Sequence, residues 1–299
     1  MIRALVSEDT CHTSVSTYLD KGFDVAAGDG MRGVLCPSLL LAFIYSVWLA
    51  RYPMWRLFEF VEPLFLMLIL SYLVVLLLAM FFLKKDAKRS LSEVFKVRSY
   101  GVISIAVVFA VVFQAVQFTM ILTIGGNMDF LSFPSLKRYE SYAVYSLPLV
   151  FVLYVVFAVF GAFVEEVTFR GYMQSRVASR YGQVTGVFIA SLLFSFQHIH
   201  IFQLSWIVEF FETQFLYVIC FGVFVGYLFF KSQETIWGVF AFHSVVNLFN
   251  VSLPVKVTYS FPFATHVVTI ASFAFMILLL RLVAIEELIP TTNSLDLTT

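Results

Sequence analysis

The chain has 299 residues, of which 61% are hydrophobic and only 13% are charged, and its mean hydropathy is +0.92. This composition excludes a soluble globular domain and predicts an all-α integral membrane protein. Lys plus Arg and Asp plus Glu number 19 each, so the charge balance indicates no polybasic surface for nucleic acid. The expected partners are the lipid bilayer and a peptide or protein.

The predicted elements divide the chain into two polar ends and one membrane domain. Residues 1–33 lack the continuous apolar core of a signal peptide and are expected to form a polar extension, and residues 288–299 form a polar tail. Between them, 34–287, we expect a polytopic bundle of about eight transmembrane helices, because a helix needs about 20 apolar residues to cross the hydrocarbon. The apolar runs cover residues 34–50, 58–83, 100–124, 143–164, 184–199, 207–230, 235–250 and 263–285. The fifth and seventh runs are short for a full crossing, so we expect them to be packed inside the bundle or to end below the surface.

The loop between the second and third runs is the most basic part of the chain. The segment Lys84–Arg98 holds six basic residues. Cytoplasmic loops carry an excess of Lys and Arg, so this segment predicts its own side as cytoplasmic, with both chain termini on that side. Residues Gly125–Ser141 then form the one long external loop.

The motif FVEEVTFRG places charged residues at the end of the fourth apolar run, where they need a structural or functional reason. On an α-helix, Glu166 and Arg170 lie four residues apart and can pair on one face. Glu165 is turned about 100° away from Glu166, so its carboxylate is left free.

Two further motifs, FSFQH and FHSVVN, repeat the four-residue spacing on other predicted helices. The first places Phe194 and His198 on one side, and the second places His243 and Asn247 together. A free carboxylate and a histidine from another helix can orient and deprotonate one water. A His–Asn pair can donate hydrogen bonds to the oxyanion of an amide under attack. The motifs together therefore predict a peptidase without a Ser or Cys nucleophile.

The order EEVTFR, FSFQH and HSVVN resembles the EExxxR, FxxxH and HxxxN motifs of the CAAX-processing and bacteriocin-processing intramembrane proteases. That family includes the Ras-converting CAAX endopeptidase. The resemblance covers roughly Phe151 to Phe249, about a third of the chain. It implies a bundle of eight membrane helices with a cavity open to the cytoplasmic side, glutamate chemistry without a metal or cofactor, and a prenylated or otherwise membrane-anchored peptide substrate. A prokaryotic member would lie in the plasma membrane, and a eukaryotic one in the endoplasmic reticulum, with the active site toward the cytoplasm.

The resemblance also implies a role for each motif residue. Glu165 is the general base on water with His198 as its partner, while His243 and Asn247 form the oxyanion site. Three residues are expected to support this site: Glu166, Arg170 and Phe194.

Two other interpretations use the same residues. Glu165, His198 and His243 also make the two-His, one-carboxylate set of a catalytic zinc, although the sequence has no HExxH motif and the resemblance favours metal-independent chemistry. Alternatively, the chain is a non-enzymatic membrane protein, such as a bacteriocin-immunity protein or a proton-coupled transporter whose Glu and His groups relay protons. Transporters often contain repeated halves, and no such repeat is visible here.

Overall fold

The computed structural model describes residues 61–85, 91–130, 147–199, 204–252, 255–258, 263–283 and 285. All of them lie in one structural unit, Leu40–Thr299. They are mostly helical, which confirms the predicted fold class at that level. The first apolar run, 34–50, and the polar segments 1–33 and 288–299 lie outside the described residues.

Every predicted run after the first corresponds to a described helix. The helices in chain order are α1 (Val61–Lys85), α2 (Leu91–Val94), α3 (Tyr100–Thr123), α4 (Leu147–Glu165), a π-helix (Glu166–Gln174), α5 (Ser175–Tyr181), α6 (Gln183–Phe196), α7 (Leu204–Thr213), α8 (Phe215–Lys231), α9 (Ile236–Ser252) and α10 (Ala264–Leu282). The start of α3 illustrates how a boundary is set. The side chain of Ser99 accepts a hydrogen bond from the backbone N–H of Gly101 at 3.1 Å, which satisfies an otherwise unpaired donor of the first turn.

Several helices are suited to a lipid environment. Within the described residues, α3 and α10 are each long and apolar enough to cross a membrane. Residues Ile207–Thr213 of α7 and the whole of α8 meet at 59° and qualify together as a third, broken crossing. The predicted run over 207–230 thus corresponds to two helices joined by a bend, which the sequence did not indicate. The shorter apolar helices α6 and α9 correspond to the fifth and seventh runs, which were expected to be short.

The largest departure from the predicted helices follows α4. There the chain continues as the π-helix, whose nine residues are all buried, before it returns to α-helical geometry in α5. The sequence pattern of this segment predicts an ordinary α-helix. A π-helix bonds each N–H to the carbonyl five residues earlier, and such segments occur frequently at functional sites.

A short antiparallel ladder was also missed by the all-α prediction. β1 (Asn127–Phe130) pairs with β2 (Val255–Thr258), and the register runs from Asn127↔Thr258 to Phe130↔Val255. β1 follows α3 and β2 precedes α10, so the ladder brings these two helix ends to one end of the bundle. We call this the sheet end.

The opposite end of the bundle carries the basic segment, and we call it the basic end. The indole N–H of Trp237, at the start of α9, donates to the backbone carbonyl of Phe95 at 2.7 Å, which ties residues 91–98 of the basic segment to this end. The short turn between α8 and α9 lies at the same end. Consequently α9 runs from the basic end to the sheet end, and α8 runs in the reverse direction.

Two glycines on α8 allow the helices around the π-helix to approach closely. A Cβ on Gly222 would lie 2.9 Å from the Cβ of Ser191 on α6. A Cβ on Gly226 would lie 2.8 Å from Oε1 of Gln174, the last residue of the π-helix. Small residues at this spacing permit close backbone packing in membrane bundles. The packing brings α8 within reach of the charged side chains described next.

Candidate active site

Glu166 is the centre of a buried polar cluster. Its side chain is fully buried, and its Oε1 lies 2.6 Å from Nδ1 of His243. A carboxylate only accepts hydrogen bonds, so Nδ1 of His243 is the donor. Arg170 contacts the same carboxylate at 3.4 Å through both Nη1 and Nε, a distance typical of an ion pair rather than of a short hydrogen bond. The Glu166–Arg170 contact expected from the spacing is therefore present.

Arg170 is buried and held by three different groups. In addition to Glu166, its Nη2 donates to the backbone carbonyl of Gly222 at 3.3 Å. Its guanidinium carbon lies 4.5 Å from the centroid of the Phe194 ring, within the range of a cation–π contact. The cation thus connects the π-helix to α6 and α8, and Phe194 contributes through its ring face.

Glu165, the last residue of α4, lies next to this cluster with 12% of its side chain exposed. Its Oε1 accepts a hydrogen bond from the hydroxyl of Tyr72 at 3.1 Å, and its Oε2 lies 3.7 Å from Nε2 of His243. The ring of His243 therefore stands between the two glutamates. The spacing argument had turned Glu165 away from Glu166, whereas in the structure both carboxylates approach the same imidazole.

His198 lies in the turn after α6, not on the helix as the spacing suggested. The helix ends at Phe196, and the backbone N–H of His198 donates to the carbonyl of Ser195 at 3.1 Å. Its Nδ1 lies 2.8 Å from the carbonyl oxygen of Phe194. A carbonyl is an acceptor, so Nδ1 carries the proton, and in the neutral ring Nε2 keeps its lone pair. His198 is also within electrostatic range of Glu165 and His243.

Asn247 lies one turn beyond His243 on α9. Its Nδ2 donates to the backbone carbonyl of Ala158 on α4 at 3.2 Å, and this bond fixes the amide plane. An amide nitrogen has two N–H donors, so a second donor is left for a ligand.

A cavity of about 370 Å³ joins these elements. Its buried floor includes Phe194, Phe221 and His243, and its exposed mouth includes Thr213 and Gln214. The other lining residues are His198, Tyr217, Val218, Val246, Asn247, Asn250 and Thr265. The structure thus brings three predicted catalytic residues, His198, His243 and Asn247, to one cavity. Glu165 adjoins it through His243, and Glu166 and Arg170 lie behind the floor.

Residues 147–249 match the Rce1-like family model, described as type II CAAX prenyl endopeptidase Rce1-like. Over these residues the chain is similar to the Rce1-like family. The match confirms the resemblance read from the three motifs, and it covers α4 to α9, the elements that carry them. No curated protein matches the chain.

The Rce1-like segment surrounds a cavity whose mouth lies toward the sheet end. α8 lines it with residues of its first half, α9 with residues of its second half, and α10 with Thr265 near its start. The described residues of the basic segment, 84–85 and 91–98, lie at the opposite end. The sequence predicts that both the basic segment and the cavity mouth face the cytoplasm. Because the two lie at opposite ends of the bundle, these two predictions conflict.

Sequence reasoning missed Tyr72, which lies outside the Rce1-like segment and contacts Glu165. A tyrosine within an apolar run gives no signal that separates it from a lipid-facing aromatic. Gly222 and Gly226 could have been noticed, since small residues four apart indicate close helix packing. In the described part of the chain, no three His, Cys, Asp or Glu side chains are arranged to hold a metal ion.

Proposed function

We propose that this chain is a multi-pass intramembrane endopeptidase that hydrolyses a peptide bond near the C-terminus of a prenylated CAAX-type or other membrane-anchored substrate. The Rce1-like match supports a CAAX-type protease in general. The observation that carries the mechanism is that His198, His243 and Asn247 line one cavity while Glu165 contacts His243.

The proposed nucleophile is a water between Glu165 and His198. The carboxylate of Glu165 takes one proton from the water, and Nε2 of His198 accepts a hydrogen bond from the other hydrogen, so that the oxygen is aimed at the scissile carbonyl carbon. A tetrahedral intermediate forms. Glu165 then passes its proton to the amide nitrogen, the C–N bond breaks, and the carboxylate is restored.

The proposed oxyanion donors are His243 and Asn247. Because Nδ1 of His243 donates to Glu166, only Nε2 can donate to the oxyanion, and the ring then carries two protons and a positive charge. The second N–H of Asn247 supplies the other hydrogen bond. Donors fixed in advance at a buried position stabilise developing charge without reorganisation.

The proposed substrate enters from the sheet end. Uncharged polar side chains at the mouth, Thr213, Gln214 and Asn250, suit an extended peptide, while the aromatic floor excludes water from the scissile bond. We propose that this end faces the cytoplasm, which is where the tail of a prenylated protein is presented. The basic segment then lies on the other side. We further propose that the bundle crosses the membrane about eight times. The membrane is the plasma membrane for a prokaryotic protein and the endoplasmic reticulum for a eukaryotic one.

Glu165→Gln tests the assignment of the base. The amide cannot accept the proton, so hydrolysis of a fluorogenic farnesylated peptide by the purified protein should fall by about 100-fold or more, the contribution of a general base. Glu212→Gln is the matched control, because Glu212 is exposed on α7 and is not among the cavity-lining residues. Full activity of Glu165→Gln would remove Glu165 from the mechanism. Equal cleavage of the same peptide without its lipid would contradict the membrane-anchored substrate class.

A further inference from the structure

A tyrosine from outside the Rce1-like segment reaches the polar cluster. Tyr72 lies on α1, with only 8% of its surface exposed, and its hydroxyl donates to Oε1 of Glu165 at 3.1 Å. The proposed base is therefore contacted by a helix that the family match does not include.

The ring of Tyr72 is held by one face of α4. Phe157 meets it edge-on with a centroid distance of 5.3 Å, and Phe160 lies at 6.4 Å. A Cβ on Gly161 would lie 3.6 Å from the ring, so the ring rests against the helix at this glycine. Phe157, Gly161 and Glu165 are spaced four residues apart and share that face. Packing along two turns of α4 therefore sets where the hydroxyl lies.

The two oxygens of Glu165 are thereby given different surroundings. Oε1 accepts from the hydroxyl of Tyr72, while Oε2 lies toward His243. A carboxylate without such a bond can rotate and exchange its oxygens. With Oε1 engaged, Oε2 is the oxygen left to take a proton from water, and the phenol keeps its own proton throughout.

We propose that Tyr72 is a positioning residue that fixes the orientation of the Glu165 carboxylate so that Oε2 acts as the base. This inference rests on the proposed function. It assigns to α1, which carries no family motif, a direct part in aligning the reacting groups.

Tyr72→Phe tests the inference because it removes one oxygen and keeps the ring that packs on α4. We expect kcat to fall by a factor of about ten to a hundred, the range for one hydrogen bond to a charged group. KM should stay within about twofold, since the hydroxyl does not contact the bound peptide. Tyr227→Phe is the matched control, because Tyr227 is half-buried on α8 and does not line the cavity, and it should retain the wild-type kcat.

An infrared measurement tests the contact without relying on turnover. The carboxylate stretch of Glu165 is assigned as the band lost in Glu165→Gln. It should shift in Tyr72→Phe and stay in place in Tyr227→Phe. A wild-type protein that cleaves none of the peptides would refute the proposed function, and the infrared shift would then still decide whether Tyr72 holds Glu165. An unshifted band, or an unchanged kcat in an active enzyme, overturns the inference.

Discussion

His243 is held between two carboxylates, and this limits what its ring can do. Nδ1 lies 2.6 Å from Glu166 and Nε2 lies 3.7 Å from Glu165. Nδ1 is the donor to Glu166, whereas the separation between Nε2 and Glu165 is longer than a hydrogen bond, so Nε2 is available to a ligand. Arg170 also offsets the charge of Glu166, because buried charges need such pairing. The proposed oxyanion role of His243 uses Nε2, the ring nitrogen that Glu166 does not engage.

Arg170→Gln should destabilise the protein, because it leaves Glu166 buried without its guanidinium partner. Removing one member of a buried ion pair costs about 3–5 kcal/mol. We expect a lower midpoint of unfolding in a detergent titration and loss of most activity. Arg180→Gln at the basic end is the control, and a change of stability within about 0.5 kcal/mol is expected for it. Equal midpoints for the two variants would contradict the structural role of Arg170.

Some contacts of the site could be predicted from the spacing of residues along the sequence, and others could not. The Glu166–Arg170 contact could be predicted, because residues four apart meet on a helical surface. The approach of Arg170 to Phe194 and to the carbonyl of Gly222 could not, since it depends on how α6 and α8 pack against the π-helix. The same holds for Tyr72, whose contact with Glu165 is set by the packing of α1 on α4.

At the scale of elements, the π-helix begins at Glu166, directly after Glu165. In an α-helix, neighbouring side chains point about 100° apart, which would separate Glu165 from Glu166. Bonding to the fifth residue back widens the turn and reduces the rotation between neighbours. In the structure both carboxylates lie near His243, Glu166 at 2.6 Å and Glu165 at 3.7 Å. The widened segment is therefore part of the site and not a local irregularity.

Gly222→Ala tests the packing of α8 against α6. The added Cβ would lie 2.9 Å from the Cβ and 3.0 Å from the Cα of Ser191, so a helix must move. Overpacking of this kind costs about 1–3 kcal/mol. The movement also displaces the carbonyl that accepts from Arg170, so activity should fall along with the unfolding midpoint.

Gly161→Ala is the control for this substitution, with stability as its readout. Its Cβ would lie 3.6 Å from the Tyr72 ring, an ordinary contact. Alanine favours a helix interior over glycine by about 1 kcal/mol, so stability should be equal to or above that of the wild type. A Gly222→Ala protein as stable as Gly161→Ala would show that α6 and α8 are not tightly packed.

Hydropathy predicted where the helices lie but not their internal geometry. The runs from 58 to 285 correspond to helices because apolar composition is what a membrane helix requires. The π-helix and the bend after Thr213 were missed because neither interrupts the helical pattern of its sequence. β1 and β2 were missed because four-residue strands are too short to show alternation.

At the scale of the whole molecule, the two ends of the bundle differ, and the sequence does not decide which end faces the cytoplasm. The cavity mouth lies at the sheet end, and the basic segment lies at the other end. The excess of Lys and Arg would place the basic end in the cytoplasm, whereas a prenylated substrate would place the mouth there. Sequence alone gave both expectations, since it does not show which helix ends surround the site.

Cysteine labelling tests the polarity and the side from which the substrate enters. After replacement of Cys11, Cys36 and Cys220, one cysteine is introduced at Thr213, in the mouth, or at Ser179, which is exposed near the basic end. An impermeant maleimide should label the two sites from opposite sides of sealed membranes, with Thr213→Cys reacting from the cytoplasmic side. A lipidated peptide should protect Thr213→Cys and leave Ser179→Cys reactive, because only the mouth is covered. Labelling of both sites from one side would refute the bundle polarity, and labelling of Thr213→Cys from the outer side alone would reverse the proposed orientation.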